Sequence, residues 1–128
     1  MADILKEIIK TLPKDKISDA AFEGANIVVY TKDKIYFMDN LGTIRAAVQQ
    51  FKKRIELRPD PSLCMDAEKA EKEIKKIIPE EAGIQEFIFD PPRSQVIIHV
   101  DKPGVVIGKE GDFLREIKAK TSWVPLIK

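Results

Sequence analysis

One cysteine, Cys64, and one histidine, His99, are the only residues of those types in the 128-residue sequence. A lone cysteine closes no internal disulfide and offers no thiolate set for a metal. Zinc hydrolases gather several His, Cys or carboxylate ligands on one ion, and Ser–His triads need a histidine beside the nucleophile, so both chemistries lack their parts here. An excess of charge is missing as well. Lys and Arg number 22 and Asp and Glu 21, a net charge of +1, so no overall field draws the chain to nucleic acid or anionic lipid. No apolar run approaches the roughly 20 residues that span a bilayer. The opening MADILK also lacks the basic leader and apolar stretch of a secretory signal. These absences point to a reduced, cytoplasmic protein that does not enter the membrane. With 44% hydrophobic and 34% charged residues, the balance is that of a globular domain.

What the sequence does contain is a repeat. Residues 3–13 (DILKEIIKTLP) and 66–79 (DAEKAEKEIKKIIP) are helical patterns, each opened by Asp and closed by Pro. Ile4, Leu5, Ile8, Ile9 and Leu12 form the apolar stripe of the first. Ala67, Ala70, Ile74, Ile77 and Ile78 form that of the second, with Glu68/Lys72 and Glu71/Lys75 as supporting i,i+4 pairs. Asp3 and Asp66 are natural N-caps, and Pro13 and Pro79 natural stops. Strand patterns rich in β-branched residues follow at 18–23 and 26–30 in one copy, and at 85–90 and 96–100 in the other. Short apolar pieces at 35–38 and 105–107 lead into loops. Second helices then carry Ile44, Ala47, Val48 and Phe51, or Leu114, Ile117 and Thr121, before closing strands at 55–57 and 124–127. The order helix, strand, strand, helix, helix, strand is written twice. It predicts an α+β protein with domains at 1–58 and 66–128, joined by a stiff Pro-rich connector at 59–65.

Chemistry concentrates in the second copy, in Lys102-Pro103-Gly104-Val105-Val106-Ile107-Gly108-Lys109-Glu110-Gly111-Asp112-Phe113-Leu114-Arg115. Pro103 suits a first helical position, and the one-turn helix it opens should break at Gly108. Two glycines permit unusual backbone angles and let a sugar-phosphate chain approach without meeting a Cβ. The amides that open the next helix favour an anion, and Lys109 adds a positive charge. Val106, Ile107 and Leu114 are expected to form an apolar floor for unstacked bases. A bare G-x-x-G occurs in many turns, and a helix–turn–helix corner with no ligand fits the same residues. Here the tetrad sits between two short helices, after one strand and before another.

In those residues the second copy resembles a K-homology (KH) domain, a single-stranded RNA or DNA binder whose GXXG loop clamps four backbone nucleotides. The resemblance implies a type II arrangement, α-β-β-α-α-β, with a three-stranded mixed sheet and helices on one face. The whole chain is similar to the N-terminal tandem KH region of archaeal homologues of the cleavage and polyadenylation specificity factor. Residues 53–62 (KRIELRPDPS), 78–82 (IPEEA), Phe89-Asp90 and 106–109 (VIGK) carry that closer match. In that family the KH pair precedes a metallo-β-lactamase/β-CASP ribonuclease that cleaves RNA 3′ ends in transcription termination. Its H-x-H-x-D-H metal motif cannot be present with one histidine, so no catalysis and no cofactor are carried over to this chain. Zinc belongs to the nuclease part. The implied partners are single-stranded RNA, that nuclease domain, attached or associated, and the transcription machinery.

The two copies are not equivalent. Laid over each other, Gly108 and Gly111 fall on Met38 and Leu41, with Gly42 just beyond, and Asp39 lies near the expected phosphate path. The first unit therefore reads as a degenerate KH domain, mainly structural. In the second, the expected RNA-binding residues are Gly108, Lys109, Glu110, Gly111, Val106 and Ile107, with Lys102, Arg115 and Lys118 on the groove rim. Glu110 and Asp112 offset Lys109, so affinity should be modest. Residues 102–128 nonetheless hold six basic and three acidic side chains, a local +3, although a solvated helix face gives the same count. Lys52, Lys53, Arg54 and Arg58 either extend the path into the first unit or simply favour a helix C-terminus. His99 reads as a sheet-face residue, Trp123 as packing at a helix end, and Cys64 as idle. Set against RNA binding is a scaffold reading, in which both units serve oligomerisation or docking on the transcription machinery.

Overall fold

The computed structural model describes residues 3–108 and 111–128, and the chain divides into two compact units, one ending at Ser62 and the next beginning at Leu63. In the first, α1 (Ile4–Thr11) starts where the Asp3 carboxylate accepts the Lys6 amide. It ends at Leu12, because Pro13 disfavours helical backbone in the residue before it. β1 (Asp19–Glu23) runs antiparallel to β2 (Asn26–Thr31), and β3 (Ile55–Pro59) lies parallel to β2 on its other side. Two parallel neighbours need a crossover, supplied by α2 (Lys34–Met38) and α3 (Thr43–Phe51). Ile27 and Val29 alternate toward a core with Ile8, Leu12, Ala47 and Ile55.

The second unit repeats this order. α4 (Ala67–Ile77) is capped by Asp66 and buries Ala70, Ile74 and Ile77. β4 (Ile84–Asp90), β5 (Gln95–Val100) and β6 (Val124–Ile127) form a second three-stranded mixed sheet in the order β4-β5-β6, with β5 central. α5 (Pro103–Ile107) and α6 (Asp112–Thr121) cross over from β5 to β6. Val96, Ile98 and Val100 alternate into a core completed by Val106, Ile117 and Trp123. Trp123 packs as expected: its indole N–H donates to the Met65 carbonyl at 2.7 Å, and its ring meets Phe89 edge-on.

The expected connector is largely absorbed by the units. Pro59 pairs with Thr31 as the last residue of β3, where a missing N–H is tolerated at a sheet edge. Residues Pro61–Leu63 form a single 3₁₀ turn, and the Met65 amide already donates to Thr121 in the second unit.

Asp33 caps α2 by accepting the Tyr36 amide and pairs closely with Lys16. The Lys16 hydrogen bond, with the Tyr36 amide next, holds its carboxyl below the usual 3.8. Partial burial pulls the Asp60 carboxyl upward, but hydrogen bonds from the Ser62 amide and hydroxyl outweigh it, and the net shift is again downward. A carboxyl depressed in the folded state adds stability that is complete above its unfolded value and lost as pH falls through its folded one. The first unit is therefore expected to lose urea resistance below about pH 4. Tyrosine absorbance reports this unit, because Tyr30 and Tyr36 are the only tyrosines. The variant Asp33→Asn should show a shallower acid slope, and a slope equal to that of the parent would contradict the assignment.

Candidate nucleic-acid interface

The glycine corner is held from below. Ahead of α5, the Asp101 amide donates to Gly83 and the Lys102 amide to Ala82, at 2.9 and 3.0 Å, which ties the start of the helix to a 3₁₀ turn at Glu80–Ala82. Pro103 then occupies the first helical position. Beyond the corner, α6 is anchored by the fully buried Ile117, with Phe113 and Leu114 half-buried against the same core.

The two glycines are needed for different reasons. Gly111 lies at φ +77°, a left-handed conformation that costs an L-residue roughly 1–2 kcal/mol, while a Cβ there would meet little. Gly108 is in ordinary right-handed backbone (φ −66°), so the expectation of unusual angles fails for it. Its amide donates to the Gly104 carbonyl, and a Cβ on Gly108 would sit 2.6 Å from that oxygen. Close contact excludes a side chain at one glycine, and backbone conformation excludes it at the other.

Gly111 caps α6 with no side-chain hydrogen bond. Arg115 supplies a cation there: Nη1 lies 4.0 Å from the position a Gly111 Cβ would take, and the guanidinium pairs closely with Asp112. Lys102 is exposed at the far end of α5, and Lys118 is half-buried one turn beyond Leu114. Lys109 and Glu110 lie outside the described residues.

Two expectations need correction. Val106 is fully buried in the core of its unit, so it supports α5 from beneath and offers no surface to a base. Of the other two residues expected in that floor, Ile107 is 50% exposed and Leu114 half-buried. Arg58 is 3% exposed and bonded to Glu23 and Glu56, so it cannot extend a nucleic-acid path from Lys52, Lys53 and Arg54, which are exposed.

The overlay of the two units also shifts by one residue. α2 and α5 each have five residues, and four positions separate each from the start of the next helix. Asp39 therefore corresponds to Gly108, and Gly42, also at φ +77°, to Gly111. The first unit keeps the conformational glycine and loses the contact glycine. Its Asp39 carboxylate accepts the Leu41 amide at 3.0 Å, and Leu41 stands 86% exposed in the left-handed region. Gly104, a glycine inside a helical pattern, is also exposed, on the same helix face as Ile107 and Gly108.

Among the described residues, no group of three or more His, Cys, Asp or Glu side chains is placed to hold a metal ion, and no helix is long and apolar enough to cross a membrane.

Comparison with known proteins bears on both units. Residues 1–64 match the family described as "Transcription termination factor FttA, KH domain", and residues 69–122 match the family described as "KH domain". The chain is 45% identical over 126 residues to transcription termination factor FttA of Methanocaldococcus jannaschii, covering 98% of this chain and 20% of that protein. The protein of the same name from Thermococcus kodakarensis is 42% identical over 130 residues, with 98% and 20% covered. That from Methanococcus maripaludis is 43% identical over 128 residues, with 96% and 20% covered. The chain thus spans about a fifth of the length of these curated relatives.

Proposed function

The chain belongs to the KH-domain family of transcription termination factor FttA, and from that premise we propose that its second unit binds single-stranded RNA at the Gly108–Gly111 corner, in a role in transcription termination. The observation that carries this reading is the corner itself. Gly108 and Gly111 leave backbone without side chains at the surface, α6 begins with no side-chain cap, and Arg115 stands beside Gly111. Phosphate is held by those amides, Lys109 and Arg115, while Ile107 offers an apolar surface to a base. Lys102 and Lys118 are rim cations, and the Glu110 and Asp112 charges keep affinity modest. KH domains bind and do not catalyse, so where this module is part of the full-length family protein it positions a transcript. The chemistry is left to an attached or associated metallo-β-lactamase/β-CASP nuclease with its own zinc, in the cytoplasm and in contact with the transcription machinery.

The test is titration of the chain with a short fluorescent RNA at several salt concentrations. Weak binding is expected, with the logarithm of the association constant falling by about 0.7 per phosphate contacted for each unit of log salt. Binding with no salt dependence would contradict phosphate capture. One observation favours the scaffold reading for the first unit alone: Ile35, Met38 and Leu41 stand exposed on α2 and its corner, where the second unit has glycine, Ile107 and the glycine loop.

A further inference from the structure

Eight large apolar side chains stand exposed among the described residues, and three of them, Ile35, Met38 and Leu41, fall within seven consecutive positions of the first unit. Ile35 (81%) and Leu41 (86%) are the most exposed of the eight. Ile35 and Met38 are three apart in α2 and share one side of that helix. Leu41 follows in the corner with left-handed backbone (φ +56°), a region that bulky side chains rarely enter and asparagine tolerates better. None of the three belongs to the apolar core of the unit. Single exposed apolar side chains are ordinary. A leucine held out in an unfavourable conformation, close in sequence to two more, answers no demand of the fold and marks a contact with another molecule.

The surrounding charge sets the chemistry of that molecule. The α3 helix leaving the corner exposes Arg45, Gln49 and Gln50, and it runs out into Lys52, Lys53 and Arg54, all exposed. Residues 31–54 hold six basic and two acidic side chains, a local +4. Both acids are engaged within the unit: Asp33 pairs with Lys16 and caps α2, and Asp39 accepts the Leu41 amide. The face is therefore apolar at α2 and positive along α3, with no carboxylate in residues 40–54. A second copy of the chain fits it poorly, because a two-fold contact sets the same patch against itself and like charges then repel. RNA backbone fits it poorly too, since Asp39 stands where the second unit has Gly108, and Asn40 where it has Lys109. We infer that this face docks an acidic protein segment, with bulky apolar side chains against Ile35, Met38 and Leu41 and carboxylates along α3. This inference rests on the scaffold reading of the first unit.

The experiment selects phage-displayed peptides of randomised sequence in parallel on the full chain and on its Leu41→Asn variant. Peptides of about 12 residues reach from the corner to the end of α3 in any backbone conformation. Those retained by the parent and not by the variant are expected to be net acidic and rich in Leu, Phe and Trp. The tightest of them, fluorescein-labelled, should bind Leu41→Asn about tenfold and Ile35→Ala about fivefold more weakly than the parent, as buried apolar contacts are lost. Lys52→Gln with Lys53→Gln should flatten the salt dependence of that binding. Tyrosine absorbance should show a higher urea midpoint for Leu41→Asn, because asparagine suits the left-handed backbone. Fluorescence of Trp123, the only tryptophan, should show the second unit unchanged. Lower affinity together with higher stability separates a docking residue from a structural one. Peptides that are neutral or basic, or that bind parent and Leu41→Asn equally, would overturn the inference while the unit could still dock through another surface. Self-association or RNA affinity that falls in Leu41→Asn would assign the face to a second copy or to RNA, and overturn it as well. If the parent enriches no peptide, the scaffold reading beneath it fails first. Should Leu41→Asn fail to fold, Ile35→Ala decides alone.

Discussion

A chain carrying Lys109→Asp and Glu110→Asp together is expected to bind a short RNA about thirtyfold more weakly than the parent at low salt. The second change preserves charge, so the effect isolates the reversal at position 109. Unit charges about 4 Å apart in water interact by about 1 kcal/mol, and replacing attraction by repulsion doubles that to about 2 kcal/mol. Both glycines remain, so the backbone that shapes the corner is untouched. Trp123 fluorescence in urea should return the parental midpoint, which separates lost affinity from lost fold. The gap between parent and variant should also narrow as salt screens the charges. Equal binding by parent and variant would mean that RNA does not use the corner, and would favour a scaffold.

Replacing Arg58 by alanine is expected to lower the stability of the first unit by about 2–3 kcal/mol, below the usual cost of breaking a fully buried pair because its carboxylates keep some solvent. Arg58 lies on β3 opposite Tyr30 of the central strand, yet its Nη2 donates to Glu23 of β1 and its Nε to Glu56 of its own strand, each at 2.8 Å. One guanidinium thereby ties the two edge strands together across β2. Burial works against the charge, but the hydrogen bonds to Glu23 and Glu56 outweigh it and raise the pKa above its ordinary value, so the group stays ionised throughout. Alanine would remove the guanidinium that both Glu23 and Glu56 bond to. Arg58→Lys keeps the charge but loses the planar fork, and should recover only part of the loss. Tyrosine absorbance in urea reads both variants, and Trp123 reports whether the second unit is spared. A loss below about 0.5 kcal/mol in Arg58→Ala would place this pair with ordinary surface ion pairs.

The elements that were legible in the sequence are those set by near neighbours. Asp3 and Asp66 cap the helices they precede, and Pro13 and Pro79 follow their ends, because capping and proline geometry act over three or four residues. The β-branched runs became strands, and the G-x-x-G tetrad did join two short helices. Three errors share another origin. Val105, Val106 and Ile107 are three consecutive apolar residues, and nothing local says which of them faces inward. Arg58 sits near a basic run and reads as its continuation, because Glu23 is 35 positions away. Pro59 reads as a linker until Thr31 is seen opposite it.

Unaided, then, the sequence determined the repeat, the order of elements, the helix ends and the position of the glycine corner, since each follows from periodicity or from contacts a few residues long. Tertiary structure alone decided which side of α5 is buried, that Arg58 is bound to acids rather than offered to a ligand, and which glycine of the corner the first unit has kept. Those are relations between segments far apart in the chain, and burial, cross-strand pairing and backbone contact come into being only when the segments meet.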